Sequence, residues 1–152
     1  MEYNSKYMQI EKVDPIETAP IIYEMVKNAF NRPFDKCPAN VSEVVDYIKD
    51  SDAYILKVDD VNVGYFILKE ESPSEYELKS IAVSENHQGK GYGTILMKKV
   101  LELTKGKKVY FVTHPKNVNG LFLYLKNGFM ITGWIENYLG DGQPRLKLEN
   151  NP

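Results

Sequence analysis

At 152 residues, with 43% hydrophobic and 26% charged side chains, the chain has the balance of a globular protein and room for one domain, residues 1–152, with a sizeable core. A formal net charge of −2 argues against nucleic acid as the main partner, which usually demands a basic face. No apolar run reaches the roughly 18 to 20 residues that cross a membrane, the N-terminus MEYNSKYMQIEK has no apolar signal region, and Cys37 has no internal disulfide partner, so a cytoplasmic protein with no membrane contact is expected.

In chain order, residues 5–13 read as a first strand, broken by Asp14-Pro15. Residues 16–30 place Ile22, Met25, Val26 and Phe30 at helical spacing, with Pro20 tolerated only near the start of the regular helix. A loop with two prolines, 31–40, leads to a short helix, 42–50, which Asn40 or Ser42 would cap. Residues 53–58 and 62–69 flank Asp59-Asp60-Val61 as a hairpin. A further strand, 75–83, runs back across the turn at 71–74. The helix 94–104 buries Leu96, Met97, Val100 and Leu101. Strand 107–113, helix 117–126 and two strands, 129–139 and 143–149, around Gly140-Asp141-Gly142 complete the chain. The order β-α-α-β-β-β-α-β-α-β-β is that of a mixed α/β sheet. The helix between strands 77–83 and 107–113 is a crossover, so those two run parallel.

Between the strand at 78–83 and the helix at 94–104 lies Gln88-Gly-Lys-Gly-Tyr-Gly93. A strand that ends in a glycine-rich turn and opens a helix points several N–H groups at one spot, where the helix dipole adds positive charge. The spacing is not that of a P-loop, which needs Gly-Lys-Ser/Thr, nor of a dinucleotide fingerprint. Taken alone, the turn is a generic anion cradle.

The strand Ile81-Ala82-Val83 followed by Gln88, Gly91 and Gly93 in a Q-x-x-G-x-G pattern resembles the GNAT superfamily of N-acetyltransferases. A second block agrees: Asn117, Leu123, Tyr124, Lys126, Gly128 and Phe129 match the family's helix and turn, with Gly120 in place of its usual alanine. The resemblance runs over residues 3–149. It implies a mostly antiparallel sheet of about six to seven strands flanked by about four helices, with a parallel pair splayed for CoA. It implies acetyl-CoA as donor, without a metal, and a primary amine as acceptor. The pyrophosphate would rest on the amides of Gln88, Gly89, Lys90, Gly91, Tyr92, Gly93 and Thr94, with glycines giving close approach or unusual backbone angles. The pantetheine arm would lie along Ile81, Ala82 and Val83, where an amide would polarise the thioester carbonyl. Asn117 would bond the arm or cap its helix, and Tyr124 would stand near the sulfur to protonate or hydrogen-bond the leaving thiolate.

A lysine-like amine is neutral only about one part in a thousand at physiological pH, so a base is needed. Glu77 is the first choice and Glu75 the second. The alternative that some members of the resembled family carry, a glutamate five residues before the asparagine, is absent, because that position is Val112. His114 ends its strand with a suitable ring, balanced by a plain loop role before Pro115; His87 adjoins the turn. Two histidines and one cysteine form no metal cluster. The resemblance implies that loop 31–40 and the segment 138–145 wall the acceptor side; Asp141, between two glycines, is expected in a turn role. The acceptor's identity, a homodimer and a non-catalytic CoA-binding or regulatory module on the same fold are left open.

Overall fold

The computed structural model describes residues 7–150. Strand β1 (Met8–Val13) is followed by α1 (Pro15–Ala29), α2 (Val41–Ile48), β2 (Asp52–Val58), β3 (Val61–Ser72) and β4 (Glu75–Val83). After a single 3-10 turn at Glu85–His87 come α3 (Tyr92–Leu103), β5 (Lys108–Thr113), α4 (Val118–Lys126), β6 (Phe129–Ile135) and β7 (Arg145–Asn150). Residues 5 and 6 of the expected first strand lie outside the described residues.

Local chemistry sets most of these boundaries. Asp14 Oδ1 accepts from the amides of Ile16 and Glu17, both at 2.9 Å, and Pro15 opens α1 where its missing donor costs nothing. Pro20 sits inside this helix rather than at its start; it faces solvent, so the carbonyl it leaves unpaired is open to water. Of the two candidate caps for α2, Asn40 serves, accepting from Glu43 N at 3.0 Å. The hairpin loop is Asp59-Asp60 alone, with φ of 50° and 65°. Two consecutive left-handed residues suit the twist of a two-residue hairpin, so Val61 joins the strand.

The seven strands form one sheet in the order β1-β2-β3-β4-β5-β7-β6, antiparallel throughout except between β4 and β5. Helices cover both faces. Leu96, Met97 and Val100 of α3 bury completely with Phe66, Phe111 and Phe129, while Ile22 of α1 and Val44 and Ile48 of α2 pack on Tyr65 and Ile67. Each such side chain contributes about 1.5–3 kcal/mol of burial.

Gly64 lets α3 sit hard on the sheet. A Cβ there would stand 2.9 Å from the Ala82 carbonyl oxygen and 3.0 Å from Leu96 Cδ1. Gly64→Ala is expected to destabilise the fold by about 1–3 kcal/mol. A lower denaturation midpoint at unchanged m-value is the signature; a wild-type midpoint would mean that the sheet absorbs the methyl.

Candidate active site

β4 and β5 pair at three positions only, Glu75↔Lys108, Tyr76↔Val109 and Glu77↔Tyr110. Beyond them β5 is held by β7, from Phe111↔Leu148 to Thr113↔Leu146. Residues 78–83 therefore carry main-chain groups that β5 leaves unpaired, of which side chains take the Lys79 and Val83 carbonyls. The cause lies in β4 itself. Ile67 faces Ser80 and Leu68 faces Leu78, so Lys79 is an extra residue, a bulge that bends the strand where the two part.

The mouth of this fork is the glycine turn. Gln88 Nε2 donates to the Val83 carbonyl at 3.1 Å and ties the turn to the strand end. Ser84 Oγ and His87 Nδ1 are 2.7 Å apart, which engages that ring locally. Gly89 and Gly91 have φ of 76° and 85°, and a Cβ at either would meet nothing within 4 Å. Backbone angle, not crowding, requires glycine there. Gly91 is the N-cap of α3 with no side-chain acceptor, so the first-turn amides are free to hold an anion. The helix begins at Tyr92, two residues before the expected start. Gly93 is thus helical, and its reason differs from the one expected: a Cβ would press to 3.2 Å from Leu123 Cδ2, so glycine lets α3 meet α4. Tyr92 places its side chain in the core and offers only its amide, Thr94 follows in the same first turn, and Lys90 is exposed.

A cavity of about 470 Å³ occupies the fork. Glu77, Ile81, Asn117 and Tyr124 line it, as do Arg32–Pro38 without Pro33 and Phe34, and Tyr138, Leu139 and Arg145. Ala82 turns its methyl to the core under α1 and α2, and Val83 packs on the opposite face. Glu75 is off the cavity wall, with its carboxylate 3.9 Å from Lys108 Nζ.

Tyr124 is 7% exposed, its ring edge-on to Phe111 at 4.4 Å. Burial pushes its hydroxyl up to about 12, with the Arg32 guanidinium pulling the other way. It is therefore a hydrogen-bond donor at neutral pH. Glu77 is the last β4 residue paired with β5. Burial, then the neighbouring Glu71 carboxylate, holds its carboxyl above the usual range, and the Lys79 ammonium opposes this. Lys79 itself is lowered by burial. Its ammonium donates to the Tyr47 carbonyl and lies over the Tyr47 ring, and the Tyr47 hydroxyl donates to the Lys79 carbonyl at 2.9 Å.

His114 is buried and committed at both nitrogens. Nδ1 accepts from Lys116 N at 3.0 Å, which leaves the ring proton on Nε2, 3.1 Å from Gln143 Oε1. Asn117 Oδ1 accepts from Gly120 N at 3.3 Å as the cap of α4, and Asn117 Nδ2 donates to Thr113 Oγ1 at 2.9 Å. Asp141 is taken up by its turn: it accepts from Gln143 N at 3.0 Å and from Arg145 Nη2 at 2.7 Å, and these bonds hold its carboxyl below the usual range. Partial burial, with the Asp35 carboxylate, pushes the Cys37 thiol up and away from thiolate character. Among the described residues no group of His, Cys, Asp and Glu is placed to hold a metal, and no helix is long and apolar enough to cross a membrane.

Sequence reasoning did not single out Arg32, Asp35, Tyr47, Lys79 or Arg145 on these walls. The one local signal was the i,i+3 charge pair of Arg32 and Asp35 in a proline-bounded loop.

Residues 19–129 match the profile of the family described as Acetyltransferase (GNAT) family. The N-alpha-acetyltransferase RimI of Mycobacterium tuberculosis (strain ATCC 25618 / H37Rv) is 35% identical over 66 residues, 43% of this chain; the match spans 42% of that protein's length. An IAA acetyltransferase from Bacillus cereus ATCC 14579 superposes with a TM-score of 0.76 at 24% identity, covering 95% of this chain and 99% of its own. A GNAT family acetyltransferase from Elizabethkingia anophelis, solved with acetyl-CoA bound, gives 0.77 at 22% identity over 95% of this chain and 98% of its own. These two likenesses concern the fold; the family match extends from α1 through the forked strands and the glycine turn to Phe129, and by it the chain belongs to the GNAT family of acetyltransferases.

Proposed function

We propose that the protein transfers an acetyl group from acetyl-CoA to a primary amine by direct attack within a ternary complex. The observation that carries this reading is the fork: an unpaired β4 edge ending in a turn of free amides, with Tyr124 and Glu77 on the walls of the same cavity. The diphosphate sits on the amides of residues 89–94, the Gln88 amide being taken by the Glu85 carbonyl at 3.4 Å, and the pantetheine arm runs along residues 81–83 as a substitute strand. The nitrogen lone pair attacks the thioester carbonyl carbon, the C–N bond forms and the C–S bond breaks. Sulfur leaves with the electron pair as thiolate, held by the Tyr124 hydroxyl. The proton lost by nitrogen passes to Glu77, directly or through water.

The inner wall contributed by Ile22, Val26, Val44 and Ile48 is apolar, which supports an amine carried on an apolar body. The name of the mycobacterial relative supports an α-amine. Two measurements test the reading together: calorimetric titration with acetyl-CoA, and thiol release from acetyl-CoA across a panel of amines, peptide N-termini and lysine derivatives. Saturable binding with release favouring α-amines on apolar side chains is expected. No binding at millimolar acetyl-CoA would overturn the reading, and binding without release from any amine would leave a CoA-binding module.

A further inference from the structure

The loop between α1 and α2 is fastened to the head of α4 by one guanidinium. Arg32 forks onto Asp35, with Nε to Oδ2 at 2.7 Å and Nη2 to Oδ1 at 2.9 Å, and its Nη1 donates to Asn117 Oδ1 at 2.9 Å. The Asp35 side chain is only 8% exposed, so the carboxylate is largely withdrawn from water, while the Arg32 side chain keeps 33% exposure. The guanidinium lies 4.8 Å from the Phe34 ring centroid, and Phe34 stacks on His114 at 4.7 Å. Two elements far apart in sequence are thereby clamped face to face, one walling the cavity and the other carrying Tyr124.

Gly120 makes room for the clamp. A Cβ at that position would fall 2.3 Å from Asn117 Nδ2 and 2.9 Å from Asn117 Oδ1. The Asn117 carboxamide occupies the space an alanine methyl would take, and from there it faces both Arg32 and its own helix.

We propose that Arg32 is a positioning residue of the acceptor site, anchoring the loop at 30–38 on Asn117 so that the acceptor wall and the Tyr124 helix hold one geometry. This rests on the transfer reading above. Gly120→Ala is the sharpest probe, because it leaves Arg32 intact and favours helix, yet displaces the carboxamide. Arg32→Ala removes the clamp outright. Arg32→Lys keeps the charge, but an ammonium does not reproduce a planar fork on Asp35 with a third bond to Asn117.

Hydrogen exchange of residues 30–38 and steady-state transfer to the best amine of the panel are measured for all three variants. Exchange about tenfold faster or more is expected in each, with an acceptor KM about tenfold higher or more; in the two Arg32 variants, which leave the Asn117 side chain in place, the acetyl-CoA dissociation constant is expected to stay within about twofold. Wild-type exchange in Arg32→Ala and Gly120→Ala overturns the anchor. Faster exchange with an unchanged acceptor KM overturns the positioning role and leaves a structural tie. If the wild type acetylates no amine, the transfer reading fails, and with it the positioning role; the exchange data still decide the anchor.

Discussion

Replacing Tyr124 with phenylalanine is expected to lower kcat by about 10²-fold while leaving the dissociation constant for acetyl-CoA within about twofold. The ring does the packing, against Phe111, and phenylalanine preserves it. What is lost is the hydroxyl. An alkyl thiol titrates near about 8.5, whereas burial has pushed the Tyr124 hydroxyl up to about 12. Full transfer of the tyrosine proton to a thiolate is thus uphill by roughly 5 kcal/mol. The geometry favours a donor that stabilises the departing sulfur by a hydrogen bond and keeps its own proton. In either role the hydroxyl must hold its proton at the start, so kcat shows no loss from tyrosine ionisation until the pH approaches that value. Unchanged kcat in the phenylalanine variant would remove Tyr124 from the chemistry.

For Glu77→Gln the expected result is a fall in kcat/KM, referred to the concentration of neutral amine, of about 10²-fold at neutral pH, with the acid limb of that profile flattened. The sign follows from the direction of the shift. A base works when deprotonated, so activity is present above its pKa and lost as the pH falls through it. Burial and Glu71 raise that pKa, so the wild-type limb should lie above the ordinary glutamate value of about 4.3. Lys79→Met, which removes the opposing ammonium, should move the limb higher still. Persistence of the wild-type limb in Glu77→Gln would assign the base elsewhere.

The parts of this fold written in short stretches of sequence were readable, and those written across it were not. Asp59-Asp60 needs only its own two left-handed residues to make a hairpin, and Leu96, Met97 and Val100 mark the buried face of α3 by spacing alone. The place of β7 between β5 and β6 depends on Leu148 meeting both Phe111 and Ile131, a register no local pattern encodes. β6 was expected to reach residue 139 and stops at Ile135, because Asn137 turns left-handed and accepts from Gly142 N at 2.7 Å. At the site, the turn and Tyr124 were legible through their motifs. Arg32 was not: its spacing to Asp35 hints at a local ion pair, but its partner Asn117 lies 85 residues away, and nothing in the loop's own sequence points there.

Eight paired positions join β3 to β4, and three join β4 to β5. The sheet is in effect two half-sheets sharing a short seam, and the pantetheine arm would supply the missing rungs. The donor would then be a structural member as well as a reagent. A ligand at about 100 times its dissociation constant adds about 2.7 kcal/mol to stability, and here that gain would fall on the seam. The C-terminal half-sheet, with the helix that carries Tyr124, would be stiffest when the acetyl group is in place, giving the enzyme a mechanical reason to load its donor before its acceptor.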